Sequence, residues 1–287
     1  MKKFKLKSYC KINLSLKILK KLKNGYHSMN SLITFCNLYD LISVKKIRGT
    51  TDKIIFSGKF KSGINRKKNT VTHLLYLLRK KNYLKKKAFD INIQKNIPHG
   101  SGLGGGSSNA ARLLLFFNSK MNLKIKKKEM TKIAGQIGFD TPINLEKKNT
   151  LLTGKKNKIV RLKQKFRLNI LIIYPNIICS TKKIYKRNKK FSFLKPRPVF
   201  SSMDKKKLID FLKKENNDLE ETVSRLYPKI IEIINFVKVQ NGCFFSRITG
   251  SGSACIGIFS TNNAAISTKK LVKLKFPKYW CVVSKTI

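Results

Sequence analysis

The sequence predicts an α+β fold with two domains, and three observations lead to this prediction. The chain has 287 residues, of which 41% are hydrophobic, enough to build a substantial core. Its predicted strands and helices are segregated along the chain rather than strictly alternating, which favours α+β over a doubly wound sheet. The hydrophobic pattern also changes after residues 150–154. We therefore predict a first domain over residues 1–155 and a second domain over residues 156–287.

The clearest predicted strand covers residues 10–18, where apolar and polar residues alternate with a period of two. We expect this strand to be half-buried, with Lys11 and Asn13 next to each other on its polar face. Residues 70–81 show the spacing of an amphipathic helix. The other predicted elements of the first half are strands at 31–47, 53–58 and 89–93 and helices at 107–117 and 127–137.

The second half has its own set of predicted elements. A strand at 243–248 and another at 254–259 enclose Thr249-Gly-Ser-Gly252, which predicts a turn. The remaining predicted elements are strands at 168–174 and 279–283 and helices near 204–213, 218–238 and 263–273.

The charge of the chain is extreme, with 64 Lys and Arg against 13 Asp and Glu and a formal net charge of +51. The basic residues are mostly lysines, spread from Lys2 to Lys285, whereas sequence-specific nucleic-acid readers favour the arginine fork. We therefore interpret the charge as a compositional bias and expect no specific nucleic-acid partner. A dense positive field still attracts polyanions.

The six cysteines lie far apart and form no CxxC pair, so we expect thiols rather than a disulfide framework or a zinc site. The basic start of the chain is not followed by an apolar signal segment, because Lys11 and Lys17 interrupt it. No apolar stretch approaches the length of about 18 residues needed for a membrane span. We expect a cytoplasmic protein with no membrane partner.

The most unusual local composition is a glycine-rich loop, with five of the 16 glycines between Gly100 and Gly106. A predicted strand precedes the loop and a predicted helix follows it. In this arrangement the backbone N–H groups and the helix N-terminus form an anion site. Glycines also let phosphate oxygens approach the backbone closely. A flexible linker would explain the glycines but not the flanking strand and helix.

Three familiar phosphate loops do not fit this segment. A Walker A loop ends in Gly-Lys-Ser/Thr, but a serine follows Gly106. Gly100, Gly102 and Gly105 satisfy GxGxxG, yet no acidic residue of the kind a dinucleotide site requires occurs from Gly106 to Lys128. The His-Arg-Asp and Asp-Phe-Gly motifs of protein kinases are missing from the sequence.

The run from Pro98 to Ala111, which ends in Gly-Gly-Gly-Ser-Ser-Asn-Ala-Ala, resembles the phosphate loop of the GHMP kinases. Other segments match motifs of that family in the same order along the chain. These segments are Lys11–Leu14, Asn24–His27, Lys95 with Ile97-Pro98, Gly138–Pro142, Asn217–Glu220 and Thr249–Gly252. The resemblance implies a two-domain GHMP kinase fold, with a ribosomal protein S5 domain 2-like N-terminal domain and a ferredoxin-like C-terminal domain.

The resemblance implies that ATP and Mg²⁺ are the cofactors and that Asp140 is the catalytic carboxylate, with Lys11 beside it. From the residues alone, Asp140 could equally be a helix N-cap, because Asp-Thr-Pro is a good helix start, and Lys11 could be an ordinary solvated lysine. No metal ligand is assigned. The residues that the resemblance places at the ATP phosphates are Lys95, Pro98, His99, Gly100, Ser101, Gly102, Leu103, Gly104, Gly105, Gly106, Ser107 and Ser108.

Within the family, the chain is most similar to members that phosphorylate a cytidine diphosphate conjugate of methylerythritol on its 2-hydroxyl. This similarity implies a small-molecule partner and a monomer or homodimer. The residues that would bind the substrate are Asn13, Tyr26, His27, Thr181, Tyr185 and Gly250. From the residues alone, Asn24–His27 could also be a plain turn with surface aromatics.

One departure from the family pattern follows Asp140, where the polar Asn144 leaves the local packing open. Two other functions also remain open at this point. A GHMP kinase of the homoserine or mevalonate type would share the phosphate loop. A basic nucleic-acid-binding protein built on a kinase fold would share the charge.

Overall fold

The computed structural model describes residues 2–22, 25, 27–154, 158–193 and 198–287. The chain divides into two compact units, and neither unit is continuous in sequence. Unit 1 comprises Met1–Lys11, Leu38–His99 and Gly104–Lys147. Unit 2 comprises Ile12–Asn37, Gly100–Leu103 and Lys148–Ile287. A domain boundary at residue 155 stays a prediction.

The strands are β1 (Lys3–Lys21), β2 (His27–Ile47), β3 (Lys53–Ser57), β4 (Ala88–Gln94), β5 (Thr150–Thr153), β6 (Lys158–Arg161), β7 (Asn169–Tyr174), β8 (Cys243–Ile248), β9 (Cys255–Phe259) and β10 (Trp280–Lys285). The helices are α1 (Thr70–Lys80), α2 (Gly105–Lys120), α3 (Lys127–Ile137), α4 (Thr181–Arg187), α5 (Lys205–Lys214), α6 (Glu220–Leu226), α7 (Lys229–Lys238) and α8 (Asn262–Lys275).

Unit 1 packs helices α1, α2 and α3 on a small sheet. The last part of β2 pairs antiparallel with β4 from Leu41 to Ile47, and β3 runs parallel to β4 on its other side. Helix α1 begins where the sequence supplies a capping box, because the Asn69 side chain accepts from the N–H groups of Val71 and Thr72. The core between sheet and helices is formed by buried apolar side chains, among them Leu74, Leu78, Phe89, Ile91, Leu113, Phe117 and Ile133.

Unit 2 contains an antiparallel four-stranded sheet with the order β10–β7–β9–β8. Numbered along the chain from β7, this order is 4-1-3-2, and helices precede the β8–β9 hairpin and follow it. That is the split arrangement of a ferredoxin-like domain, which the family resemblance implied. The α+β prediction is thus confirmed. The first part of β2 pairs antiparallel with β5, and β5 pairs antiparallel with β6.

Several element predictions were wrong in their bounds. The predicted helix 218–238 is two helices, α6 and α7, which are separated at Tyr227 and Pro228. The proline has no N–H to continue the preceding helix. Strands β1 and β2 begin earlier than predicted, and α2 begins at Gly105 rather than at residue 107. The hydrophobic pattern did not reveal β5, β6 or α4.

The expectation that β1 is only half-buried was also wrong, because residues on its polar face are buried too. Lys11 is 3% exposed and Asn13 is 4% exposed. Polar side chains are buried only when hydrogen-bond or charge partners replace water. This burial therefore indicates that both side chains face polar groups of the protein. Among the helices that the structure describes, none has the length and apolar composition to cross a bilayer.

Candidate active site

Lys11 and Asp140 form an ion pair within unit 1. Lys11 Nζ lies 3.1 Å from Asp140 Oδ2, and the Asp140 side chain keeps 33% of its surface exposed. Asp140 follows α3 in a turn, and the next helical residues, a 3₁₀ turn at Ile143–Leu145, begin after Pro142 without a side-chain cap. The Asp140 carboxylate is therefore engaged with Lys11 rather than acting as a helix N-cap. Lys11 is likewise a buried lysine rather than a solvated one.

Asn144, four positions after Asp140, supports the turn that carries the Asp140 carboxylate. Asn144 Nδ2 donates to the backbone oxygen of Asp140 at 2.7 Å, and the Asn144 N–H donates to the carbonyl of Thr141 at 3.1 Å. The side chain thus holds the backbone of the residue whose carboxylate faces Lys11. The question that the sequence left open about Asn144 is answered by this contact.

The first turn of α2 begins directly beside Lys11. Gly104 is the N-cap in a left-handed conformation with φ of 69°, and a Cβ added to it would lie 2.7 Å from Lys11 Cγ. The N–H groups of Gly105, Gly106 and Ser107 open the helix, where intrahelical acceptors do not exist. The partial positive charge of the 16-residue helix is therefore directed toward the Lys11 side.

Ser108 is buried at the start of α2 and its hydroxyl is already engaged. Ser108 Oγ donates to the carbonyl of Tyr9 at 2.6 Å and accepts from Ser8 Oγ at 2.9 Å. Ser107 is half-buried one residue earlier. The hydroxyl of Ser108 therefore fixes α2 to β1.

Lys95 is buried at the end of the β4 segment, where its ammonium pairs with Asp40. Asp40, on β2, also accepts from the N–H groups of Asn96 and Ile97 at 2.8 Å each. Our sequence analysis missed Asp40. The available signal was its position as one of only 13 acidic residues, set between apolar residues of a predicted strand.

Of the remaining loop residues, Pro98 and His99 belong to unit 1, and Gly100–Leu103 belong to unit 2. In unit 1, Pro98 is buried and His99 Nε2 lies 2.7 Å from the carbonyl of Ser62. In unit 2, the carbonyl of Gly100 accepts from Cys179 N–H at 2.9 Å and that of Ser101 accepts from Ala254 N–H at 3.0 Å. Gly102 has φ of 81° and packs on the Thr249 carbonyl, so no side chain fits there. Leu103, the last residue of this segment, is fully buried.

Three predicted substrate residues meet around one turn of unit 2. The Asn13 N–H donates to Thr249 Oγ1 at 2.8 Å. Thr181 Oγ1 lies 2.9 Å from Ser251 Oγ, and the Gly250 carbonyl accepts from Asn217 Nδ2 at 2.8 Å. The structure thus brings Asn13, Thr181 and Gly250 together at the predicted turn between β8 and β9.

The side chains that hold this turn come from the Asn217–Glu220 motif. The Glu220 carboxylate accepts from the N–H of Ile248 at 2.8 Å. Burial raises the pKa of Glu220, while the Ile248 N–H and the nearby Arg247 oppose the rise. Burial lowers the pKa of Arg247 to about 10, and its guanidinium donates to the carbonyls of Leu14 and Leu212. The motif therefore anchors the end of β8, where the turn begins.

His27 and Tyr185 form an aromatic pair in unit 2. Their ring centroids are 5.2 Å apart, and the rings are tilted by 42°. The Tyr185 hydroxyl donates to the Met29 sulfur at 3.0 Å. Burial lowers the pKa of His27, and the positive charge of Lys21 lowers it further. His27 is therefore a neutral imidazole at pH 7. Tyr26 lies outside the described residues.

A cavity of about 540 Å³ lies beside the start of α2 and is lined by residues 67–70 together with Thr72, His73, Tyr76 and Ile137. Thr70 connects it to the glycine loop, since its Oγ1 donates to the Gly106 carbonyl at 2.9 Å. A larger cavity of about 780 Å³ surrounds Asp52 and Arg79 but includes no loop residue. Of these two cavities, the smaller one adjoins the first turn of α2.

Both halves of the chain match models of known protein families. The family model for the GHMP kinases N terminal domain matches residues 69–145, and the model for the GHMP kinases C terminal matches residues 200–273. Together these matches cover more than half of the chain, one in each predicted domain. The chain belongs to the GHMP kinase family.

Relatives that match over nearly the full length have one name in common. The chain is 38% identical to "4-diphosphocytidyl-2-C-methyl-D-erythritol kinase" of Pelagibacter ubique, with 100% of both chains covered. It is 31% identical to the protein of that name from Caldicellulosiruptor bescii, with 94% of both chains covered. It is also 31% identical to that of Wolbachia pipientis, with 98% of this chain and 97% of the relative covered.

Solved structures agree on the fold. A crystal structure of 4-(cytidine 5'-diphospho)-2C-methyl-D-erythritol kinase superposes with a TM-score of 0.77 at 20% identity, covering 98% of this chain and 99% of the other. Homoserine kinase from Cytophaga hutchinsonii gives 0.71 at 16% identity, covering 100% and 95%. Because kinases with different acceptors share this fold, the structural likeness does not select the acceptor.

Proposed function

We propose that the protein transfers the γ-phosphoryl group of ATP to the 2-hydroxyl of 4-diphosphocytidyl-2-C-methyl-D-erythritol. The products are the 2-phosphate and ADP, in non-mevalonate isoprenoid precursor biosynthesis. The observation that carries this proposal is the pairing of the buried Lys11 with the part-exposed Asp140, beside the glycine-capped start of α2. The three relatives described above, which share one name and match over nearly the full length, support the choice of acceptor.

The triphosphate binds to the loop from Pro98 to Ser108 and to the N-terminus of α2. Backbone N–H groups at Gly105, Gly106 and Ser107 can donate to an anion without breaking a helix hydrogen bond, because they have no intrahelical acceptors. The adenine base occupies the 540 Å³ cavity next to Thr70, since that cavity adjoins Gly106. The buried Lys95 does not project into solvent. Its ammonium pairs with Asp40 and lies next to Gly105 at the start of α2.

Asp140 accepts the proton of the substrate hydroxyl as that oxygen attacks the γ-phosphorus. Lys11 Nζ faces the Asp140 carboxylate at 3.1 Å, and the carboxylate oxygens are the acceptors that a general base requires. Lys11 also places a positive charge where the transferring phosphoryl group gathers negative charge. One third of the Asp140 side chain is exposed, so the carboxylate can receive a substrate group without rearrangement of the pair.

The donor set of unit 1 fits Mg²⁺ bound together with the nucleotide. Within the described residues no cluster of three His, Cys, Asp or Glu exists, and Mg²⁺ commonly binds through one or two protein oxygens plus substrate phosphates. The part-exposed Asp140 carboxylate and the half-buried Ser107 hydroxyl are the oxygens that would hold it. When bound, Mg²⁺ neutralises charge on the β- and γ-phosphates.

The cytidine end of the acceptor binds at the His27–Tyr185 pair. The Tyr185 ring offers a stacking face, and the neutral imidazole of His27 offers one acceptor and one donor to the edge of the base. The role in base binding that the family resemblance implies for Tyr26 stays a prediction. Asn13, Thr181 and Gly250 hold the rest of the acceptor at the turn between β8 and β9.

The lowered pKa of His27 gives a pH prediction. A depressed pKa keeps the imidazole neutral down to pH values below the ordinary histidine pKa of about 6.5. Once protonated, His27 has only donors and cannot accept from the cytosine amino group. We expect the KM for the acceptor to stay constant from pH 8 to pH 6.5, within about twofold, and to rise below that range.

The control for this pH profile is His27→Gln, which keeps a donor and an acceptor but does not titrate. Its KM for the acceptor should be higher than that of the wild type and independent of pH over the same range. An acid-side rise of equal size in His27→Gln would contradict the assignment to His27. So would a wild-type rise that begins above pH 7.

The proposed function is tested by coupling ADP release to a spectrophotometric assay with three acceptors. We expect turnover with 4-diphosphocytidyl-2-C-methyl-D-erythritol and none above background with homoserine or mevalonate. ATP hydrolysis without an acceptor serves as the blank. Turnover with homoserine or mevalonate but not with the cytidyl substrate would overturn the proposal and favour the rival kinases.

The nucleic-acid-binding alternative has its own test. We expect duplex DNA to bind weakly and without sequence preference, with affinity falling steeply as salt rises, as for any surface of this charge. Tight, sequence-dependent binding at physiological salt would support that alternative. We further propose that the kinase acts in the cytoplasm, as a monomer or homodimer.

A further inference from the structure

Asp40 of β2 is a carboxylate that unit 1 buries completely. Its relative exposure is 0%, and that of its partner Lys95 is 2%. Oδ1 accepts from the N–H groups of Asn96 and Ile97 at 2.8 Å each. Oδ2 accepts from Lys95 Nζ and from Asn109 Nδ2, the latter at 3.0 Å. Four donors occupy the roughly four lone-pair sites that a carboxylate possesses.

The four donors come from the chain on both sides of the glycine loop. Asn96 and Ile97 are the residues immediately before Pro98, and Asn109 lies in the second turn of α2. The start of α2 also rests on the segment that Asp40 holds. A Cβ added to Gly105 would lie 3.0 Å from Ile97 Cγ2 and 3.3 Å from Lys95 Nζ. One side chain therefore fixes the entry and the exit of the loop.

A gain in stability does not account for this arrangement. Burying two opposite charges carries a large desolvation cost for each ion, and apolar pairs of similar volume are often as stable. An apolar pair could not accept from the N–H groups of Asn96 and Ile97, however. What the carboxylate supplies is a fixed geometry for two backbone N–H groups and for one amide of α2.

We propose that Asp40 is the positioning residue of the phosphate loop. It acts through Asn96, Ile97 and Asn109 to hold the loop in the conformation that receives the triphosphate. This inference rests on the proposed function only where the acceptor is concerned. The effect of Asp40 on ATP binding can be tested whatever the acceptor is. If the receptive conformation is only partly populated, the apparent dissociation constant rises by the inverse of that fraction.

The test begins with Asp40→Asn in the full chain. We measure the equilibrium dissociation constant of a non-hydrolysable ATP analogue and the KM values for ATP and acceptor, at a temperature where the variant is folded. We expect ATP affinity to weaken at least about tenfold, because Lys95 loses its charge partner and the loop its anchor. The KM for the acceptor should stay within about twofold, since Asp40 does not contact that end of the site.

A milder variant, Asn109→Ala, keeps the charge pair and removes one hydrogen bond to Asp40. If Asp40→Asn does not fold, Asn109→Ala is the variant that tests whether Asp40 positions the loop. We expect the ATP affinity of Asn109→Ala to weaken about fivefold, the effect of one lost hydrogen bond on the population of the receptive loop.

The matched control is Asp52→Asn. Asp52 also accepts from a basic side chain and a backbone N–H, namely Arg79 at 2.7 and 2.8 Å and Phe89 at 3.0 Å. It contacts no loop residue among these partners. We expect Asp52→Asn to lower Tm while its ATP affinity stays within about twofold of the wild type.

Two results would overturn the inference. One is unchanged ATP affinity in a folded Asp40→Asn, or in Asn109→Ala if the first variant is unfolded. The other is an equal loss of ATP affinity in Asp52→Asn, which would indicate a general effect of stability. If the wild type bound ATP but did not turn over the cytidyl acceptor, the proposed function would fail while the binding data still tested Asp40.

Discussion

Replacing Asp140 by asparagine lowers kcat by about 10³-fold, within the range of 10² to 10⁴ typical for loss of a general base. The amide keeps the size of the side chain but cannot accept the proton of the substrate hydroxyl. It also removes the negative charge that Lys11 faces at 3.1 Å. We expect KM values to change little, because the lost interaction is strongest in the transition state. Steady-state kinetics and circular dichroism on the same preparation measure both the loss and the retained fold.

Glu146→Gln is the matched control for Asp140→Asn. Glu146 is six residues further along the same unit and pairs with Lys127 at 3.0 Å, but that lysine is 82% exposed. An exposed pair contributes little, so kcat should remain within about twofold of the wild type. An Asp140→Asn variant with more than a tenth of wild-type kcat would remove Asp140 from the role of base.

Replacing Gly104 by alanine lowers kcat/KM for ATP by about 100-fold or more, because two costs combine at one position. The backbone has φ of 69° there, which costs an L-residue about 1–2 kcal/mol. The new Cβ would also lie 2.7 Å from Lys11 Cγ and 3.0 Å from Lys11 Cε. Relief of this clash moves the Lys11 ammonium away from Asp140 or moves the first turn of α2. Each movement disturbs groups that we propose for phosphoryl transfer, and a 1 Å misplacement of such groups can cost about 10²-fold.

Gly135→Ala separates this local effect from glycine replacement in general. Gly135 lies in α3 with an ordinary helical backbone, and a Cβ there would meet no atom within 4 Å. Alanine is favoured over glycine inside a helix by up to about 1 kcal/mol, so Tm should rise by about 2–4 °C with unchanged kinetics. Wild-type kinetics in Gly104→Ala would show that the loop tolerates a side chain and would contradict the assigned geometry.

Local patterns predicted much of the fold and of the site. Alternation of apolar and polar residues located most of the longer strands, and the helical period of apolar residues located α1 and α3. The loop and Asp140 were recognisable from short runs of sequence. Proline at position 228 was visible too, although the longer apolar period around it masked its effect. The roles predicted for individual residues in binding ATP and the acceptor remain proposals.

Other features depend on contacts between distant segments and were not predictable. Asp40 meets its donors across 55 to 69 positions of sequence, and nothing near residue 40 indicates them. The buried polar face of β1 is similar, because the Lys11 side chain pairs with Asp140 and the Asn13 side chain donates to Ser31 Oγ on β2. The short strands β5 and β6 have four residues each, too few for a period to be read.

The interleaved order of the two compact units has a consequence for how the protein is made. In unit 2, the N–H of Asn13 bonds to Thr249 Oγ1, 236 positions later in the chain. At about 5–20 residues per second, a ribosome needs roughly 12 to 47 s to synthesise that interval. During this time the early part of β1 has left the ribosome without its final partner. Lysine-rich segments of such a nascent chain repel one another. This repulsion opposes aggregation of the strands that are still unpaired, until the last quarter of the chain is made.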